Sequence, residues 1–396
     1  MSSERNALEN VRVLGVISGL ELFGHERGNI EAYEALRELG ASVFLGVDRR
    51  PDNHVRQELW RRGFDTFDLP LGPQWSKQWI RKEPSLAIRQ VVSVFKCSHR
   101  FAEAARAFKA THIQMGSYLA YSYVSRALKR LSQPMIYRVG DAPPVDSRFN
   151  YRVWWKRTMA RTTAVVANSK FIADAAVTAG FDPERVRVIY NHPPTRKEGD
   201  GISLRPLGEG EAAQMALLYV GSIAEHKGLV PLVDALALLR DKGVKVRLHL
   251  AGESRWDSEF RSRLMKRIRD RMLEDWVVWH GFIEDPTPLY AMADLHVAPA
   301  LWQEPSGNIV VEAKRAGRAS VVFASGGLLE HIRHRVDGYI CEEKTAASLA
   351  SALQWMLEDR ARLEKMGREA RLDYETRFGW ERFKKEWADV YASLPG

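Results

Sequence analysis

Two glutamates eight residues apart bracket the run Glu304-Pro-Ser-Gly-Asn-Ile-Val-Val-Glu312. Ser306 is placed to cap a helix that begins at about Gly307 and is stopped by Gly317. The free amides at the start of such a helix, those of Gly307, Asn308 and Ile309, point along its axis out of the amino-terminal end, back into the cleft, and the helix dipole there favours a phosphate. Glu304 then stands just outside the helix and Glu312 about two turns in, where a carboxylate can line a cleft and accept hydrogen bonds from a ribose. The phosphate lies between the two. A solvated pair of glutamates on a surface helix would show the same spacing.

The elements that position these residues follow from periodicity. Short β-branched runs alternate with amphipathic stretches, as in βα units around a parallel sheet. Strands are predicted at 11–17, 42–47, 112–115, 135–139, 164–167 and 186–190, and then at 215–220, 244–251, 277–280, 295–298 and 320–323. Between the two groups the periodicity gives way to Pro, Gly, Lys and Glu. The expected fold class is therefore α/β, with two Rossmann-like doubly wound domains facing a cleft. Residues 1–193 form the first and 215–379 the second, with a linker at 194–214 and a closing amphipathic helix at 380–396 that crosses back to the first domain. Ligands in such sheets bind beyond the carboxyl ends of the strands, so the loops after strands carry the candidates.

At 396 residues, 45% of them hydrophobic and 28% charged, the chain suits two globular domains. It shows no apolar signal region and no run long enough to span a bilayer, and the expectation is a cytoplasmic protein. Cys97 and Cys341 have no spacing that suggests a metal site or redox pair. The net charge of +9 sits mainly in the first half: 49–109 carries thirteen Lys or Arg against six Asp or Glu, and 126–161 carries nine against two. Trp60, Trp75, Trp79, Trp154 and Trp155 are interleaved with Arg61, Arg62, Lys77, Arg81, Lys82, Lys156 and Arg157. That mixture suits peripheral binding at an anionic membrane surface. A solvated basic face over buried tryptophans explains it equally well. No nucleic-acid recognition motif accompanies the charge, so no nucleic-acid partner is expected.

The run from Glu304 to Ala313 resembles the signature of the family 4 glycosyltransferases, retaining enzymes of GT-B fold, in its E-P-x-G-x-x-x-x-E-A frame. The resemblance implies that Glu304 contacts the donor sugar and Glu312 the ribose hydroxyls. Ser325-Gly326-Gly327 with Glu330 is similar to the family's G-G-x-x-E, which gives Gly326 and Gly327 a place beside the donor sugar. Val220 to Gly228 resembles the segment whose Arg and Lys bind the donor diphosphate; Lys227 matches, and Ser222 stands where the arginine is usual. Arg255 is one basic residue that could substitute. Trp279-His-Gly-Phe282-Ile283 resembles the segment bordering the base, which points to Phe282 and Ile283.

The first half resembles the family more loosely. Phe23-Gly24-His25-Glu26-Arg27 is similar to the family's G-G-x-E-R loop, with Gly24 beside the diphosphate. Arg138-Val-Gly-Asp141 occupies the place of a His-Asp pair but lacks the histidine, which leaves Asp141 as the candidate for activating or positioning the acceptor, or as a plain turn aspartate. The implied reaction moves a sugar from a nucleoside-diphosphate sugar to a glycan or lipid-linked acceptor, with Asp141, Glu304 and Lys227 as catalytic candidates. With no D-x-D motif, neither metal nor cofactor is expected. A nucleotide-sugar epimerase or hydrolase of the same fold, and a non-catalytic basic membrane-surface or nucleic-acid-binding protein with a degenerate transferase fold, are the alternatives.

Overall fold

The computed structural model describes residues 7–72, 85–144, 150–194, 214–254 and 258–394. Trp75, Lys77, Trp79, Arg81, Lys82, Arg255 and most of the expected linker lie outside those residues. The chain divides into two compact units, Met1–Pro194 with Trp380–Gly396, and Thr195–Gly379.

In the first unit β1 (Arg12–Ile17), β2 (Ser42–Asp48), β3 (Asp65–Leu69), β4 (His112–Met115), β5 (Met135–Val139), β6 (Ala164–Ala167) and β7 (Val186–Val188) form one parallel sheet in the order β3-β2-β1-β4-β5-β6-β7. A strand alternates its side chains, and β1 supplies both faces. Leu14 and Val16 pack with Phe101, Tyr121 and Trp155, whereas Val13 and Ile17 pack with Tyr33 and Leu36 from the Gly24–Glu38 helix. Burial on both faces is why these strands read as unbroken apolar runs. The closing helix Trp380–Ala392 belongs to this unit: Phe383, Trp387, Val390 and Tyr391 are buried in the same cluster as Tyr33, and the Tyr391 hydroxyl donates to Gln114 Oε1 at 2.8 Å. Each such large side chain contributes about 1.5–3 kcal/mol on full burial.

The second unit holds β8 (Met215–Val220), β9 (Val246–Ala251), β10 (Val277–Gly281), β11 (Leu295–Ala298), β12 (Ser320–Phe323) and β13 (Gly338–Cys341), parallel, in the order β10-β9-β8-β11-β12-β13. The strand order reverses between β8 and β11, so the loops that leave these two strands lie side by side. That reversal is where an open α/β sheet takes its ligand. β3 and β13 are absent from the strands expected from sequence; both are sheet edges of five and four residues, and neither presents a long apolar run.

Two local expectations are corrected. The helix after β11 spans Asn308–Arg315 and its cap is Gly307, held at φ 83° with no side-chain cap bond, rather than Ser306. The Ser306 hydroxyl instead donates to Asn308 Oδ1 at 3.3 Å. Glycine takes a left-handed cap conformation at little cost, and a Cβ at 307 would also strike the Leu328 side chain. Gly24 opens the Gly24–Glu38 helix rather than lying in a loop before it. Trp154 and Trp155 are buried in the core of the first unit and present nothing to a surface, whereas Trp60 is exposed.

Candidate active site

Residues from the loops after β8, β11 and β12 meet in the second unit. Lys227 ends a short turn, Glu225–Lys227, that closes on Gly228 in the left-handed conformation at φ 76°. A Cβ at 228 would collide with the Pro299 carbonyl at the end of β11, so glycine lets the two loops touch. The Lys227 ammonium consequently reaches Glu304: Nζ donates to Oε2 at 2.7 Å, with the two side chains 19% and 16% exposed. Trp302 Nε1 donates to the same oxygen at 2.8 Å, and its ring lies 5.1 Å from Nζ and 4.9 Å from the ring of His226. One carboxylate oxygen thus holds an ammonium and an indole N–H together. Burial, then the Lys227 charge, lowers the His226 pKa.

Gly326 and Gly327 have a packing reason for their lack of side chains. A Cβ on Gly326, at φ 49°, would strike the Glu304 carbonyl, and one on Gly327 would press on the Pro305 carbonyl. The Gly327 amide donates to the Glu304 carbonyl at 2.7 Å and the Gly326 amide to Gln303 Oε1 at 2.6 Å. The two glycines therefore fix the backbone that carries Glu304. Lys344 completes the brace, donating to the Leu301 carbonyl at 2.8 Å, and burial lowers its pKa.

Glu312 lies in the Asn308–Arg315 helix, half-buried, against Tyr290 of the Thr287–Met292 helix. The Tyr290 hydroxyl donates to the Ile309 carbonyl at 3.2 Å; burial, reinforced by the Glu312 charge and hydrogen bond, pushes its pKa well above the ordinary value. The same helix is anchored from behind. Lys314, fully buried, donates to Asp337 at 2.8 Å and to Asp373 at 2.7 Å. Phe282 and Ile283 follow the carboxyl end of β10, Phe282 exposed and Ile283 half-buried, and Ser222 is exposed after β8.

In the first unit a histidine from elsewhere in the chain lies near Asp141. His25 Nδ1, in the first turn of the Gly24–Glu38 helix, lies 3.5 Å from Asp141 Oδ2, whose side chain is 69% exposed. Gly140 leaves room for this approach, because a Cβ there would sit 2.6 Å from His25 Nδ1. Beneath them Arg138 is buried, donating to Asn29 Oδ1 at 3.1 Å and Asn191 Oδ1 at 2.5 Å, and burial lowers its pKa to about 10. Burial also raises the pKa of Glu26, although the nearby His25 pulls it down. Gly24 has an ordinary φ and is exposed at the helix start.

The sequence reading missed Trp302, His226, Tyr290, Lys344 and the partnership of His25 with Asp141. Trp302 and His226 flank residues already singled out. Tyr290 and His25 reach their partners only through the strand order.

Residues 24–192 match the family model described as Glycosyl transferase 4-like domain, and residues 211–373 match that of Glycosyl transferases group 1. With these two halves in order on a pair of Rossmann-like units, the chain belongs to the family 4 glycosyltransferases of GT-B fold. An uncharacterised glycosyltransferase of Methanocaldococcus jannaschii is 28% identical over 237 residues, 57% of this chain and 59% of that protein. Spore coat protein SA of Bacillus subtilis is 28% identical over 57% of this chain and 64% of its own length. The chain thus spans about three fifths of these curated relatives. The crystal structure of HepE from Anabaena in complex with UDP and glucose superposes with a TM-score of 0.78 at 21% identity, covering 97% of this chain and 100% of that one. Among the described residues no helix is long and apolar enough to cross a membrane.

Proposed function

We propose that the protein is a retaining glycosyltransferase that moves a sugar from a nucleoside-diphosphate sugar to an acceptor hydroxyl. The observation that carries the reading is the Lys227–Glu304 pair at 2.7 Å, on loops that meet where the strand order reverses. Bond breaking between the anomeric carbon and the diphosphate leaves negative charge on the leaving group. Lys227 and the start of the Asn308–Arg315 helix stabilise that charge, electrostatic help that often dominates such catalysis. Glu304 contacts the donor sugar, held in place by Gly326 and Gly327; Glu312, oriented by Tyr290, binds the ribose; Phe282 and Ile283 border the base. The new bond forms on the face of the sugar from which the diphosphate departs, and the acceptor proton leaves with the diphosphate.

Asp141 with His25 positions the acceptor hydroxyl in this reading. The chemistry uses Lys227 and the helix terminus in place of a metal ion, so chelation with EDTA leaves turnover intact; loss of turnover that a divalent cation restores would refute that point. UDP is the first nucleotide to test, because HepE was solved with UDP and glucose. The acceptor is a glycan or a lipid-linked glycan in cell-surface polysaccharide or glycolipid assembly, met at the cytoplasmic membrane face.

A panel of UDP-, GDP- and ADP-sugars tests the donor by thermal stabilisation, since a ligand that binds only the native state raises its melting temperature. The reading expects one nucleotide class to stabilise and its sugar to reach an added acceptor with unchanged anomeric configuration. Inversion of configuration in the product would overturn the retaining assignment, and an isomerised donor with no acceptor present would replace the transferase reading by an epimerase.

A further inference from the structure

The Ser85–Ala107 helix of the first unit carries two apolar faces. Gln90, Val94, Cys97, Phe101, Ala104 and Ala105 are buried on the inner one. On the outer one Ile88 is 70% exposed, Phe95 51% exposed, and Val91 and Val92 lie open between them. Their spacing of three, four and seven residues makes a single stripe over two turns. Isolated exposed apolar residues are ordinary on a protein surface, but four in one stripe mark a contact surface.

The charges around the stripe identify what it meets. From Ser85 to Ala102 the sequence contains no Asp or Glu, while Arg89, Lys96 and Arg100 are exposed. Arg126, from the adjoining Tyr118–Leu128 helix, places its guanidinium 4.0 Å from the centre of the Phe95 ring. The first acid in the helix, Glu103, is paired with His99 at 3.2 Å. A helix with branched aliphatic and phenyl side chains on one face and cations at its flanks lies flat in a lipid interface, its apolar side chains among the acyl chains and its cations at anionic headgroups. A protein partner would call for interspersed charges, and a polynucleotide would leave the aliphatic side chains without contacts.

We propose that the Ile88–Phe95 face docks the protein on an anionic bilayer surface. This deepens the membrane-face reading of the acceptor and rests on it. Trp154 and Trp155, two of the five tryptophans whose mixture with basic residues suggested such a surface, are buried and take no part. The docking face is instead aliphatic and phenyl, with arginine and lysine around it.

Flotation of the full chain with phosphatidylcholine vesicles, with and without phosphatidylglycerol, tests the proposal. The protein is expected to float with the anionic vesicles and to be released by salt. The Ile88→Ser, Phe95→Ser double variant should lose roughly tenfold or more in affinity at an unchanged melting temperature. The charge reversal Arg89→Glu with Lys96→Glu should do the same without touching the apolar side chains. Wild-type flotation by both variants would overturn this placement and leave the membrane reading standing. No flotation by the wild-type protein would overturn both, and calorimetric binding of a nucleoside diphosphate would then show that the transferase reading survives. A dimer that dissociates in the double variant without loss of flotation would reassign the face to a second copy of the chain.

Discussion

At Glu304 a single carboxylate oxygen receives two donors, and what that does depends on their chemistry. The Lys227 ammonium supplies charge, while the Trp302 indole N–H supplies direction only. Lys227→Ala removes the matched cation of the leaving-group site, and kcat should fall by about 10²–10³, equivalent to ~2.7–4 kcal/mol. Near-wild-type turnover would remove Lys227 from the mechanism. Trp302→Phe keeps a ring beneath the ammonium but deletes the N–H. It should lower kcat/KM for the donor by roughly tenfold through a misdirected Glu304, with nucleoside diphosphate affinity unchanged. An equal loss of nucleotide affinity would show that Trp302 acts through folding of the loop. The motif residues were legible because Glu304, Pro305, Gly307, Glu312 and Ala313 fall at fixed offsets within one run of ten residues. Trp302 and His25 were not, since an aromatic or a histidine in a loop says nothing until the strand order fixes its neighbour. Gly326 and Gly327 were given a place beside the donor sugar; what the structure adds is that their missing side chains make room for the backbone of the Glu304 loop.

At the scale of elements, the Asn308–Arg315 helix must be rigid if its first turn is to meet a phosphate. Its anchor is buried and ionic: Lys314 between Asp337 and Asp373, with Arg333 2.6 Å from Asp337 and Arg377 3.3 Å from Asp373. Burial alone would raise the Asp373 carboxyl, but the Lys314 hydrogen bond and charge, helped by Arg377 and Arg333, hold its pKa below the ordinary value. Lys314→Met leaves two buried carboxylates without their central cation and should cost about 3–5 kcal/mol, read as the unfolding midpoint in urea. A change below about 1 kcal/mol would mean that the arginines suffice. The central strands were readable because both their faces are buried. The edge strands β3 and β13 did not register because two aspartates interrupt β3 and β13 is only four residues long, and the Gly307 cap was mistaken for Ser306 because a serine before an apolar run is the commoner signal.

Over the whole molecule, buried histidines tie stability to pH. His296 and His331 are fully buried, and burial lowers each pKa to about 3, with Arg377 and Lys314 adding to the effect at His331 while Asp373 opposes it. A histidine kept neutral in the fold and protonated at about 6.5 when unfolded contributes its stability above that pH and loses it as the pH falls. Each should cost about 2 kcal/mol between pH 7 and pH 5, and the melting temperature should drop over that interval. A flat profile would show that both imidazoles accept protons in the folded state. The two-unit plan was legible as two groups of strands separated by a polar stretch, and the pattern of buried clusters accounts for it. The identity of the sugar was not, since it is set by a few side chains whose arrangement no spacing encodes. The central claim is that the second unit is a nucleotide-sugar site built on Glu304, Glu312 and Lys227. It is tested most directly by calorimetric titration of the full chain with UDP, GDP and ADP, repeated on Glu312→Gln. The account predicts saturable binding of one of the three nucleotides and a weakening of roughly tenfold in the variant, in which a charged acceptor to the ribose is lost. Absence of binding by all three, or equal affinity in the variant, would contradict it.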